Sequence, residues 1–454
     1  SLHNLAGLLN QMGDYKQAKE KYFEAFDLYL KLIDQFIPFL SENEKAAFYF
    51  SFRDRFDMMN NFVLMHRARD KELLAKMYDL TIATKAFLLK TNKKIRESIY
   101  KTGDESLIAK YETWLDKKSE LAKLYSYRST EAAALKKRID SLKKESSMLE
   151  KEISKQSAEF QSSIESNNPT WRDVQAALGK KEAAVEIVRI EYFDMKWTDT
   201  VYYAALIVKH DTKEAPEFVL LDNGWSLEHG FLNNYHKRIK FKINDKYTYR
   251  NFWAPIEENL QGVDKIFISP DGVFNKINLN TLKKPDDSYV IDHHEIVIVT
   301  NTADLAEKND RIKPEKKEAA LIGYPKYKIP AHGEKDNSEE NFKIPSPERN
   351  RLAGFFGMGN GISELPETEI EIKSIKSILE NNTWQVKAYE QMEASEKTIK
   401  NLNSPEILHI ATHGYFLESE TDSMRMTVCC TDAVKSRENP LLRSGLLFAG
   451  AENY

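Results

Sequence analysis

The sequence predicts a multidomain chain, helical in its first part and α/β in its second, with a mostly parallel sheet. Three observations predict it. Up to about Asn168 the chain is poor in residues that break helices: Gly7, Gly13 and Gly103 are its glycines and Pro38 its proline, while apolar residues recur at helical spacing. At Ser162–Pro169 a polar break interrupts that pattern. Beyond it come short runs rich in Val, Ile, Tyr and Phe, at first closely spaced and later separated by helical stretches, the arrangement of crossover units. The charge changes at the same point: residues 1–168 hold 29 Lys and Arg against 25 Asp and Glu, so the excess of acid in the whole chain lies in the second part. The expected divisions are 1–40, a helical hairpin; 41–168, a helical region with long helices; 169–310, a first α/β lobe; and 311–454, a second.

A chain of 454 residues has room for about three domains. At 41% hydrophobic and 30% charged residues it can build real cores. Lys plus Arg number 66 and Asp plus Glu 70, a balance that gives no reason to expect direct DNA binding or an anionic membrane as partner. Two adjacent cysteines, Cys429 and Cys430, cannot make a disulfide framework, and a reducing compartment suits them. No apolar run approaches the 18 residues of a spanning helix, and SLHNLAGLLNQMGDY has neither the basic start nor the apolar stretch of a secretory signal. The expected location is cytoplasmic.

At the N-terminus Asn4, Leu5, Ala6, Leu9, Gly13, Tyr15, Ala18, Tyr22 and Ala25 form a spaced set. It fits a helix hairpin with small residues where the helices approach and Gly13 at the turn. The set resembles the tetratricopeptide repeat, joined a few positions inside the unit. One such repeat cannot bury its apolar face alone, so the resemblance implies the end of a longer array and a chain that is a piece of a longer protein. Residues 32–103 keep no repeat consensus, and Phe36, Phe39, Phe48, Phe50, Phe52, Phe56 and Phe62 read as core. From Glu105 to Phe160 the chain is charged and free of Pro and Gly. Leu135, Ile139, Leu142, Met148, Leu149 and Ile153 suit long helices packed on neighbours, with a partner-binding coiled coil as the sharper reading.

The strand candidates follow. AAVEIVRIEYFD (183–194), TVYYAALIVKHD (200–211) and PEFVLLDNG (216–224) have short connections and suggest an antiparallel meander. Next come strands near 264–270, 294–300, 319–325, 384–390, 406–414 and 444–450, with ETEIEIKSIKSILEN (367–381) as a helix among them. SPDGVFN (269–275) places Asp271 and Gly272 at a turn after a strand. The segment from Lys326 to Glu364 has no period and reads as a long surface loop. No glycine-rich phosphate loop is present, and no cofactor is expected.

SPEILHIATHGYF (404–416) is the stretch that can carry chemistry. His413 stands just before Gly414 at the C-terminal end of an expected parallel strand, the edge at which open α/β sheets bind ligands. A histidine there can act as a general base, and the N–H beside a glycine can face a developing oxyanion. Spacing alone leaves a catalytic and a structural His413 equally open. His409 reads as structural, hydrogen-bonded beneath the site. Four residues of strand put the two rings roughly 13 Å apart, too far for one ion, and no metal site is expected.

Taken together, several stretches resemble the CHAT domain, a family of caspase-like and separase-like cysteine peptidases often fused to tetratricopeptide repeats. They are AAVEIVRIEYFD, IFISPDGVFNKINLNTL (266–282), ALIGYP (320–325), ELPETEIEIKSI (364–375), SPEILHIATHGYF and NPLLRSGLLFAGAEN (439–453), in family order from about Thr170 onward. The resemblance implies a caspase-like α/β sandwich preceded by a non-catalytic lobe. It makes His413 the histidine of a His–Cys dyad and gives Gly414 a share in the oxyanion hole. The family's nucleophile lies on a strand after the GAEN-like segment, whereas Cys429 and Cys430 precede it. The implied nucleophile therefore lies beyond Tyr454, and residues 1–454 alone should be inactive. The expected function is a cysteine endopeptidase that cuts a protein substrate once a protein or ribonucleoprotein activator engages its repeats, in bacterial defence. The alternative is a non-catalytic binding scaffold or pseudopeptidase.

Overall fold

A computed structural model describes residues 1–36, 40, 42–85, 87–126, 133–161, 169–194, 196–245, 247–307, 316–328, 362–416 and 444–451. Phe39, Cys429, Cys430 and most of the loop between Lys326 and Glu364 lie outside them. Two compact units form, Ser1–Leu115 with Lys144–Asn309, and Asp116–Lys143 with Asp310–Tyr454. Among the described residues every element up to Gln161 is a helix, and the first strand starts at Glu182. No helix among them is long and apolar enough to cross a membrane.

In the first unit α1 (Leu2–Gln11) and α2 (Tyr15–Phe36) form the hairpin that the spaced set suggested. Gly13 makes the turn at a φ of +81°, where a glycine has no steric cost. Ala6, Ala18 and Ala25 are buried, small enough to let the helices close. Next follow α3 (Glu42–His66), α4 (Glu72–Thr84) and α5 (Phe87–Thr102). An aromatic ladder joins α2 to α3: Tyr22 meets Phe62 at 4.7 Å between ring centroids, Phe26 meets Phe56 at 5.7 Å, and Tyr29 meets Phe52 at 4.9 Å. Such pairs add about 0.5–1.5 kcal/mol each beyond area burial. Helices α6 (Glu105–Ser126) and α7 (Ala133–Gln161) are the long charged helices; each belongs to the first unit only in part, up to Leu115 and from Lys144, and there Ile153 packs with Ile95, Ile99, Leu107 and Tyr111. Met148, expected on the apolar seam, is exposed.

A short helix, α8 (Trp171–Ala177), leads into the first sheet. Strands β1 (Glu182–Asp194), β2 (Lys196–Lys209) and β3 (Glu217–Leu221) form the antiparallel meander. On the other side of β1, strands β4 (Lys265–Ser269) and β5 (Glu295–Ile298) add in parallel, giving the order β3-β2-β1-β4-β5. The inner strands β1 and β2 are buried on both faces. Ala184, Val188, Ile190, Ala204 and Leu206 join the core built by α2–α4, while Ala183, Val185, Ile187, Tyr203 and Ala205 join a second core. That second core takes Leu232 and Tyr235 from α9 (Leu232–Lys240), together with Phe252, Trp253 and Ile256.

Polar side chains tie helices to sheet at defined points. Asn61 of α3 donates to Glu191 O at 2.7 Å and accepts from Phe193 N at 3.1 Å, taking up the groups freed where the β1–β2 register shifts. Glu186 of β1 is fully buried. One of its oxygens accepts from Lys85 Nζ at 3.0 Å, the other from the backbone and side chain of Thr302 at 2.8 and 2.7 Å. Lys85 Nζ also donates to Ile187 O and Ser269 O, so the buried ion pair is fully hydrogen-bonded.

After β4, Asp271 accepts from Gly272 N and Arg189 N, each at 2.8 Å, and caps the 3-10 turn Gly272–Lys276. Here the structure adds a reason for the Asp-Gly pair. Gly272 has a φ of +50°, and a methyl group there would stand 2.1 Å from Tyr203 Oη. That hydroxyl cannot retreat, because it donates to Glu228 and accepts from Val273 N.

In the second unit β6 (Glu318–Pro325) lies between β7 (Gln385–Gln391) and β8 (Ile407–Ala411), all parallel. Helix α10 (Pro366–Asn381) covers one face through Ile372, Ile375 and Leu379. Gly323 makes that approach possible: a Cβ there would lie 2.9 Å from Ile372 Cγ2. A short helix α11 (Glu396–Lys400) follows β7, and β9 (Gly414–Phe416) pairs antiparallel with β10 (Ser444–Leu446). The strand expected over 444–450 is thus shorter than the sequence suggested. Beyond Leu446 the backbone bonds to three different loops rather than to one neighbouring strand.

Two predictions follow from the first unit. Gly272→Ala should lower stability by about 2–4 kcal/mol, combining a left-handed backbone cost with overpacking. Urea unfolding checks it, and a loss below about 0.5 kcal/mol would contradict the close approach to Tyr203. The second concerns Glu257. Burial alone would raise its carboxyl pKa, but hydrogen bonds donated by His294, Tyr249 and Lys284 outweigh burial and hold it near about 2. A depressed folded pKa contributes stability above the unfolded value of 4.5, and that stability is lost as pH falls from there toward about 2. Unfolding free energies measured at pH 5, 4 and 3 should decline less steeply in Glu257→Gln than in wild type.

Candidate active site

The site is assembled at the C-terminal edge of the parallel sheet. The last β6–β8 pair is Gly323 with Ala411. Beyond it β6 turns at Tyr324, whose φ of +48° is held by Thr368 Oγ1 accepting from Tyr324 N at 2.9 Å. Past the end of β8 come Thr412 and His413. Residues 447–450, from the SGLLFAGA stretch, lie across all three strand ends. Leu447 N donates to His413 O at 2.8 Å, Ala449 N to Ala394 O at 2.9 Å, and Gly450 N to Lys326 O at 3.0 Å. These acceptors sit in the loops after β8, β7 and β6 in turn, so one segment fixes the loops around the site.

His413 is half-buried. Its Nε2 lies 2.9 Å from Ser363 O, just ahead of α10. A carbonyl oxygen only accepts, so this contact places the proton of a neutral ring on Nε2 and the basic lone pair on Nδ1. The ring of Tyr327 flanks it with centroids 5.5 Å apart. Tyr327 is fully buried, and its hydroxyl lies 2.9 Å from Thr412 Oγ1 and 3.4 Å from His413 N.

Gly414 pairs with Leu446. Because Leu447 N bonds His413 O, the alternation of an antiparallel ladder makes Gly414–Leu446 a pair whose N–H and C=O groups point away from each other. The Gly414 N–H is therefore turned off β10. A Cβ at Gly414 would meet Leu446 Cδ2 at 3.5 Å, ordinary contact, so packing does not demand a glycine there.

The structure separates the two histidines by partner. His409 Nε2 lies 3.0 Å from Glu371 Oε1 of α10, in a pair that is partly open to solvent. That is a strand-to-helix tie and not part of the His413 contacts. Asp271 and Gly272 belong to the first unit. Cys429 and Cys430 lie outside the described residues. Among the described residues no group of three or more His, Cys, Asp or Glu side chains could hold a metal ion. Sequence reasoning missed Ser363, Tyr327 and Thr412. Ser363 acts through a carbonyl, which any residue supplies and no motif marks. Tyr327 did leave a signal, an aromatic residue between two lysines shortly after a buried strand.

Residues 247–453 match the family model of the CHAT domain. No curated protein and no solved structure matches the chain. The match covers less than half of the chain and supports a CHAT domain protein. It takes in β4–β10, while the meander β1–β3, which the sequence resemblance included, lies ahead of it.

One measurement tests the site's geometry independently of any activity. In ¹⁵N spectra at neutral pH, His413 should show its proton on Nε2 in the neutral ring. An Nδ1–H tautomer would remove the role assigned to Ser363 O.

Proposed function

We propose that this chain belongs to a cysteine endopeptidase of the CHAT class, with His413 as its acid–base residue and the Gly414 N–H in its oxyanion hole. The observation that supports this best is the pairing of two features at one strand end: an imidazole anchored through Nε2 on Ser363 O, and a backbone N–H turned off its ladder. The imidazole takes the thiol proton, and the thiolate attacks the scissile carbonyl. The oxyanion so formed is stabilised by backbone N–H donors, and the imidazolium then returns its proton to the leaving amine. The nucleophile in this reading is a cysteine on a further strand. Among the described residues β8 has no strand on its outer side, which leaves an edge where such a strand could add beside His413.

The rest of the proposal is architectural. The α1–α2 hairpin reads as the last of a set of tetratricopeptide repeats, and an array of that kind would receive a protein or ribonucleoprotein activator. The setting proposed is bacterial defence in the cytoplasm, with a protein as substrate.

The test uses the full-length protein with its natural substrate. His413→Ala should lose about 100- to 10,000-fold or more in rate while circular dichroism stays native. His409→Ala should cleave within a few-fold of wild type. Near wild-type cleavage by a folded His413→Ala protein would sink the dyad. Mass spectrometry after labelling with a thiol-directed peptidyl reagent locates the nucleophile, and a label on Cys429 or Cys430 would place it inside residues 417–443 instead of on an added strand.

A further inference from the structure

The His413–Leu447 pair lacks one of its two ladder bonds. In a hydrogen-bonded antiparallel pair each residue donates to the other. Leu447 N does donate to His413 O, at 2.8 Å. The reciprocal bond is replaced by two hydroxyls. Leu447 O accepts from Thr412 Oγ1 at 2.5 Å, and His413 N reaches Tyr327 Oη at 3.4 Å instead. The 2.9 Å contact between the two hydroxyls closes the path.

Counting protons fixes its direction. Thr412 spends its hydroxyl proton on Leu447 O, so toward Tyr327 it can only accept. Tyr327 therefore donates to Thr412, and its oxygen accepts the His413 N–H. The chain runs from His413 N–H through Tyr327 O–H and Thr412 O–H to Leu447 C=O, with each hydroxyl donating once and accepting once. Tyr327 is fully buried, where a hydroxyl without a partner is costly, so this arrangement is held in place. His413 thus stays joined to Leu447 through its carbonyl, while its N–H is turned to Tyr327 and its ring meets Ser363 O.

We infer that Tyr327, through Thr412, is a positioning residue that sets the backbone of His413 and hence the reach of its ring. The inference rests on the reading of His413 as the acid–base residue, but the bridge itself can be tested without that reading.

In the full-length protein Tyr327→Phe keeps the buried ring and removes only the hydroxyl. Amide hydrogen exchange at His413 should quicken by about tenfold, the scale of one lost hydrogen bond. In the cleavage assay kcat should fall by about tenfold with KM within twofold. Thr412→Val should reproduce the loss, and Thr412→Ser, which keeps the hydroxyl, should restore wild-type values. The double variant Tyr327→Phe/Thr412→Val should cost little more than either single change, because both break one path. Unchanged exchange and kcat in a folded Tyr327→Phe protein would overturn the inference while leaving His413 in its role. An active His413→Ala protein would instead remove that role, and the exchange rates would still decide whether the bridge exists. Equal, additive losses from the two single variants would reduce both hydroxyls to ordinary packing and overturn the inference as well.

Discussion

Three parallel strands that stop along one edge leave backbone groups without ladder partners, and in this protein residues 447–450 satisfy them. One N–H from that segment goes to each of the loops after β8, β7 and β6. Buried backbone groups must be paired somewhere, and here the pairing has a consequence for the site. The positions of Lys326, Ala394 and His413 are coupled through a single stretch of chain. The features that matter chemically depend on this tie. It puts the Gly414–Leu446 pair in the outward-facing phase of the ladder, and it confronts His413 with Leu447.

In the first unit the governing constraint is that the inner strands β1 and β2 are buried on both faces. Alternate residues of β1 and β2 enter different cores, one built with the N-terminal helices and one with the segment that contains α9 and Trp253. A central strand of this kind can hold a carboxylate only if the charge is matched and both oxygens are hydrogen-bonded. Glu186 meets that condition with Lys85 and Thr302. Asn61 does the same for backbone groups at the register shift of β1. These contacts join residues more than a hundred positions apart, so helices and sheet fold as one unit rather than as separate modules.

Much of this was legible in the residues. Gly13 at a turn, alanines where helices meet, and the change from helical to strand periodicity near Asn168 are local features with local causes. The meander over 183–224 was readable because short connections permit only antiparallel neighbours. The near-continuous apolar run of AAVEIVRIEYFD also carried the sign of two-sided burial, although not the identity of what covers it. His413 and Gly414 could be picked out because a strand ends in front of them. The SGLLFAG stretch misled as to length, since an apolar run reads the same whether its backbone pairs with one strand or with three loops.

The sequence by itself determined the periodicity of each element, the turn residues and the strand end on which His413 stands, because these depend on side chains a few positions apart. It also determined that Gly272 follows Asp271, but not why a glycine must. The reason is a tyrosine hydroxyl 69 positions earlier in the chain, which only the tertiary structure brings to it. Ser363, Tyr327 and Thr412 are of the same kind. Each acts through a carbonyl or a hydroxyl that many residues could provide, and each gains its role from long-range packing. Which nitrogen of His413 carries the proton, and which way the Gly414 N–H points, follow from hydrogen bonds across 50 and 34 residues of chain. Such bonds form only once strands, helix and loop have met, so no local pattern could announce them.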